Sequence, residues 1–99
     1  MISVTGSVTA REDSLEEVRR LSLEHVHRSR GEPGCISHAV HADCENPLRL
    51  VFIEQWADRA VLAAHFAVPA SRDFVRALQS LASASSTIEI YDATRLQSL

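Results

Sequence analysis

Strand-like and helix-like segments follow one another along this chain in the order β-α-β-β-α-β. That order predicts an α+β fold: a ferredoxin-like split β-α-β arrangement, with an antiparallel sheet and its helices on one face. Three observations carry the expectation. Residues 2–9 alternate in polarity with period two, as a half-buried strand does. Residues 15–30 and 59–82 carry apolar side chains at helical spacing. The connection "DCENP" (43–47) between the second and third strands is too short for a parallel crossover, so these two strands form an antiparallel hairpin.

The elements can be justified in order. In "ISVTGSVT" (2–9), Ile2, Val4 and Val8 point one way and Ser3, Thr5, Ser7 and Thr9 the other. "REDS" breaks the strand, and Ser14-Leu15-Glu16-Glu17 fits a capping box at the start of a helix that runs to Arg30, with Gly31 after it. On that helix Leu15, Val18, Leu21 and Val26 share a face with Ser22, His25 and Ser29, so polar groups interrupt the apolar stripe. "GEPG" (31–34) is a turn by composition. "CISHAVHA" (35–42) places Ile36, His38 and Val40 on one side of a second strand, and "LRLVFIEQW" (48–56) reads as a third strand buried on both faces. Asp58 caps a helix over 59–66, Pro69 interrupts it, and a last helix spans 70–82. "SASS" (83–86) reads as a linker into a fourth strand, "TIEIYDATR" (87–95). No internal repeat is present.

Ninety-nine residues are enough for one domain, 1–99, and too few for a second core. A chain of this size buries roughly 60–65 % of the surface its unfolded form exposes, so association with a second copy through the uncovered sheet face is expected. The 45 % hydrophobic and 23 % charged fractions are those of an ordinary globular protein. A net charge of −3 with interspersed signs provides no basic stripe for nucleic acid. No apolar run matches a membrane span, and the N-terminus lacks the pattern of a secretory signal. Cys35 and Cys44 form neither a disulfide framework nor a paired metal motif. A cytoplasmic location with reduced thiols is expected.

With the elements in place, two stretches resemble the antibiotic biosynthesis monooxygenase family, whose members are dimeric α+β barrels. "EPGCISHAVHAD" (32–43) is similar to the family's Glu-Pro-Gly-Cys turn into its second strand. "FIEQWADRAVLAAHFAVPASRDF" (52–74) is similar to its Glu-x-Trp, Ala-x-x-x-x-His, Pro and Phe pattern. The resemblance implies addition of molecular oxygen to an electron-rich phenol or anthrone without flavin, haem or metal, inside a homodimer. It also implies a small aromatic partner and no resident cofactor, in keeping with the lack of a glycine-rich phosphate loop.

Such chemistry requires an apolar cavity, a proton acceptor and donors for a developing oxyanion. The expected catalytic pair is His65, which lies on the inward face of its helix, and Trp56, which ends the third strand. Each has a plainer reading: His65 as a ring satisfied by a backbone carbonyl, Trp56 as an anchor closing the sheet. His38, His25, Phe52, Leu62 and Phe66 are the expected substrate contacts. Glu54 is expected at the subunit seam, with a place at the cavity edge as the alternative, and Arg76 in solvent opposite the apolar face of its helix. The family's anthrone-oxidising members carry an asparagine at Phe52 and a tyrosine at Leu62. Its haem-degrading branch carries a tryptophan at His65 and needs a histidine that "SRDFVRAL" (71–78) lacks. No metal site is expected, because His25 and His27, like His38 and His41, fall on different faces of their elements. Non-catalytic capture of a hydrophobic molecule or quinone, and oxygen-independent isomerase or detoxification chemistry, remain open alternatives.

Overall fold

The computed structural model describes residues 1–99. The elements are β1 (Ile2–Thr9), α1 (Leu15–Ser29), β2 (Cys35–Asp43), β3 (Asn46–Trp56), α2 (Arg59–Ala67), α3 (Pro69–Leu81) and β4 (Thr87–Asp92). Four antiparallel strands form one sheet in the order β2-β3-β1-β4, with the helices on one face. The α+β, ferredoxin-like expectation holds. Within a single chain the sheet is open and does not close into a barrel.

Register explains which side chains reach the covered face. Ile2, Val4 and Val8 of β1 pair with Trp56, Glu54 and Leu50 of β3, so all six point the same way, and all are buried. Two apolar clusters form there. Val8, Ala10, Val18, Val26, Leu50, Phe52 and Leu78 fill one, while Ile2, Val4, Trp56 and Leu62 fill the other. Between the Cys35–Trp56 rung and the Val40–Phe52 rung lies a polar rung, His38–Glu54, so the core is interrupted at mid-sheet.

Several expectations change. Ser14 is the first residue before α1, but its side chain makes no capping bond to the helix. Its Oγ–H donates to Leu81 O at 2.7 Å, tying the start of α1 to the end of α3, and Glu17 pairs with Arg20 instead. A register shift between Cys35 and Ser37 turns Ile36 outward, 54 % exposed, and away from His38. Strand β3 begins at Asn46, and only one of its faces is buried in the protomer; Ile53 is exposed. Pro69 starts α3, where its missing N–H costs nothing. Asp58 does cap α2, accepting from Val61 N–H at 2.9 Å.

The covered face stops short of β4. Ile88 and Ile90 pair with Gly6 and Val4 through β1 and therefore point toward the helix layer, yet both remain exposed. That uncovered edge leaves the seam between sheet and helices open.

The turn after α1 is fixed by Gly34, which has φ +79°, a left-handed conformation. Its carbonyl accepts from Ala57 N–H at 2.9 Å, fastening the turn to the β3–α2 junction. A Cβ at this position would stand 2.6–2.7 Å from the Val61 side chain. Gly34→Ala is expected to destabilise the protein by about 2–4 kcal/mol, read from urea denaturation, through backbone strain and steric overlap together.

Candidate functional site

Three elements deliver three histidines to the interrupted core. His25 comes from the inward face of α1, His38 from the polar rung of β2, and His65 from α2; all are buried. Their ring centroids lie 5.3 Å (His25–His38), 5.3 Å (His25–His65) and 5.7 Å (His38–His65) apart. Aromatic neighbours lock two of the rings. Phe74 stacks on His25 with centroids 4.1 Å apart at 11°, and Trp56 lies 4.5 Å from His65 at 34°.

The polar atoms of the cluster form a connected network. The Glu32 carboxylate reaches back from the turn after α1, and its Oε1 lies 2.8 Å from His65 Nδ1. Arg28 donates from Nη1 to Glu32 Oε2 at 3.0 Å and from Nη2 to His25 Nδ1 at 2.8 Å, with Ser71 Oγ at 3.4 Å. Deeper in, Trp56 Nε1–H donates to Glu54 Oε1 at 2.9 Å, and His38 Nε2 lies 3.1 Å from the same oxygen. That second contact is short but poorly directed, so both ring nitrogens of His38 are fully enclosed without a proper hydrogen bond.

Glu54 is thus 6 % exposed and faces the helices, not the subunit seam expected for it. The cause is strand parity, which gives it the same face as Phe52 and Trp56. Burial alone raises its carboxyl pKa, but the His38 contact and the Trp56 N–H outweigh that and hold it below 4.5.

Over these groups lies a cavity of about 940 Å³, lined among others by His25, Phe52, Glu54, His65, Phe66 and Phe74. The 83–86 segment, with Thr87 and Ile88 of β4, also lines it. Phe66 separates it from a smaller hollow of about 390 Å³ that Leu62 lines with Ile90 and Tyr91. Of the residues singled out from sequence, His25, His65, Phe52 and Phe66 therefore meet the main cavity, and Leu62 meets only the smaller one. Trp56 is 0 % exposed and His38 2 %; both stand behind the cavity wall, Trp56 against His65. Arg76 is largely solvated, pairs with Asp73 and touches the cavity mouth. Sequence reasoning gave no site role to Arg28, Glu32 or Phe74, although Glu32 and Phe74 belong to the two stretches that carry the family resemblance. The signal for Arg28 was its place one helical turn beyond His25.

One nitrogen from each of the three histidines lies within 4.8 Å of the others, a donor set that suits a transition metal. His27 and His41, the neighbours weighed in the sequence, are exposed and take no part. Arg28 opposes a cation at His25. A ring that coordinates through Nε2 keeps its proton on Nδ1, where the guanidinium already donates.

Fold and site together define a class: an open ferredoxin-like α+β chain whose helix–sheet seam holds a histidine-lined cavity, with no helix long and apolar enough to cross a membrane. The sequence profile of the family described as "Antibiotic biosynthesis monooxygenase" matches residues 1–77, and the chain belongs to that family. An uncharacterised protein of Synechocystis sp. is 35 % identical over 98 residues, covering 99 % of this chain and 67 % of its own length. A crystal structure named as an antibiotic biosynthesis monooxygenase superposes with a TM-score of 0.88 at 28 % identity, covering 96 % of this chain and 100 % of its own. A protein from Deinococcus radiodurans shares the fold with a TM-score of 0.95 at 23 % identity, covering 100 % and 98 %.

Burial first, then the neighbouring His38 and His65 rings and the Arg28 guanidinium, depress the His25 pKa from 6.5 to about 3. The fold therefore holds His25 neutral, while the unfolded chain protonates it near 6.5. The resulting stability is complete above that value and is lost as pH falls toward about 3. Glu54, whose folded pKa is lowered, adds its own loss only below 4.5. Acidification from about pH 7 to about pH 5 is expected to cost about 2 kcal/mol through His25. Urea titrations should show that slope reduced in His25→Leu.

Proposed function

We propose that the chain is a cofactor-independent monooxygenase of the cytoplasm, acting as a homodimer on a small aromatic substrate of the quinol, anthrone or polyketide-like phenol class. The observation that carries this reading is the partly buried Glu32–His65 pair at the wall of a large, mainly apolar cavity. A carboxylate on Nδ1 orients an imidazole and stabilises the imidazolium formed when the ring takes a proton. Imidazole suits that task near neutral pH.

His65 takes the phenolic proton and leaves an electron-rich anion, which gives an electron to oxygen before the new C–O bond forms. One oxygen atom converts a ring C–H, or an anthrone CH₂, to C=O; the other leaves as water, and no further reductant is needed. Phe52, Phe66 and Phe74 supply the apolar wall. Trp56 holds the His65 ring from behind, and Glu54 forms the polar floor with His38 behind it. The names of the similar structures agree with this reading. A second copy would cover Ile53 and Tyr91 on the open sheet face, and both are exposed in the protomer.

Two imidazoles side by side in one cavity also suit oxygen-independent proton transfer, as in an isomerase, so the assay requires an anaerobic arm. Purified protein mixed aerobically with hydroquinones and anthrones is expected to consume oxygen. His65→Ala should lower that rate by about 10²–10⁴-fold with the fold intact. Absence of uptake on a panel that a related oxygenase turns over would contradict the reading, and undiminished turnover without oxygen would favour the isomerase. Ile53→Asp is expected to convert the dimer to monomer in sedimentation experiments.

A further inference from the structure

The hydrogen bonds around the two cavity histidines fix where each ring carries its proton. Arginine has donors and no acceptor. With Arg28 Nη2 at 2.8 Å, His25 Nδ1 can only accept, so the proton of the neutral ring sits on Nε2. Glu32 shows the opposite polarity. Its carboxylate is ion-paired with Arg28 Nη1 at 3.0 Å and accepts from His65 Nδ1 at 2.8 Å. In the neutral His65 ring the proton therefore sits on Nδ1, which leaves the lone pair on Nε2. Neither Nε2 makes a hydrogen bond, neither is among the fully enclosed polar atoms, and both rings line the same cavity. Phe74 and Trp56 hold the two ring planes.

We propose that Arg28 and Glu32 are positioning residues that divide the cavity histidines into a fixed donor, His25 Nε2–H, and a fixed acceptor, His65 Nε2, and that this pair selects a substrate with an ionisable hydroxyl beside a carbonyl oxygen. The proposal rests on the reading of the cavity as the substrate site, but its tautomer assignment stands on the resting protein alone. The substrate O–H bond breaks, its proton forms an N–H bond at His65 Nε2, and the electron pair stays on oxygen. The charge spreads through the conjugated system to the neighbouring carbonyl oxygen, which accepts from His25 Nε2–H. Glu32 balances the imidazolium. The centroids of the two rings lie 5.3 Å apart, a separation that two adjacent oxygens of one molecule bridge with hydrogen bonds of about 2.7–3.2 Å. A hydroxyl without such a neighbour leaves the His25 N–H unpaired once water is displaced.

Long-range proton–nitrogen correlation spectra of the whole protein, dialysed against EDTA, read each tautomer without turnover. His25 is expected protonated at Nε2 and His65 at Nδ1; both rings in one tautomer, or His25 protonated at Nδ1, overturns the proposal. Arg28→Met is expected to populate the Nδ1–H form of His25, whereas Arg28→Lys, still a donor only, keeps the Nε2–H form. An anthraquinone with a hydroxyl peri to one carbonyl is expected to bind at least about 10-fold more tightly than its methyl ether or unsubstituted anthraquinone. Equal binding overturns the substrate assignment. Expected tautomers and selective binding with no oxygen uptake by any phenol would instead support the donor–acceptor pair and remove the oxygenase reading.

Discussion

The hydrogen bond between Glu32 and His65 is the contact on which the rest of this site depends. It joins a turn to a helix 33 residues further along the chain, at 2.8 Å and largely out of water. Without it, His65 would be a buried ring with no partner at Nδ1, and Glu32 would keep only its pairing with Arg28. Gly34 makes the approach possible, because its left-handed backbone and its bond to Ala57 hold the turn against the start of α2. Arg28 then links the pair to His25, so a single guanidinium spans both imidazoles of the cavity.

A polar network at mid-core is costly for so small a protein. Replacing His38 and Glu54 by apolar residues would merge two hydrophobic clusters that now stand apart. Buried ionisable groups are tolerated where each finds a partner, and most do here. His38 is the exception, with both ring nitrogens enclosed and poorly directed toward any acceptor. A chain that gives up core continuity and leaves such atoms under-satisfied departs from the consistency expected of a purely structural core. Departures of that kind concentrate at functional sites. Along the open edge at β4, Ile88 and Ile90 point inward without cover.

Much of this was legible in the sequence. Period-two and helical spacing specified the order of elements and their approximate ends, and the face shared by Ser22, His25 and Ser29 marked the interruption of the core. Strand parity puts Glu54 on the face of Leu50, Phe52 and Trp56; the expectation of a seam residue failed because that face turns to the helices and not to a second copy. The outward turn of Ile36 depends on a one-residue register shift, which alternation cannot reveal. Ser14 had the right spacing for a capping box, but the end of α3 offered its hydroxyl a carbonyl instead, a tertiary choice that local pattern does not contain. Arg28 and Glu32 look like ordinary surface charges beside Arg30 and Glu24. The place of Arg28 one turn beyond His25 puts it beside the site, but only the path of the turn shows that Glu32 faces inward.

The central claim is that Glu32 and His65 are energetically coupled and do not merely lie close together. A double-mutant cycle on stability, comparing Glu32→Ala, His65→Ala and the double variant by urea denaturation, measures that coupling most directly. The account predicts an interaction of about 1.5–3 kcal/mol, the range for a buried hydrogen bond to a charged group. Additive losses, with coupling below about 0.3 kcal/mol, would contradict it.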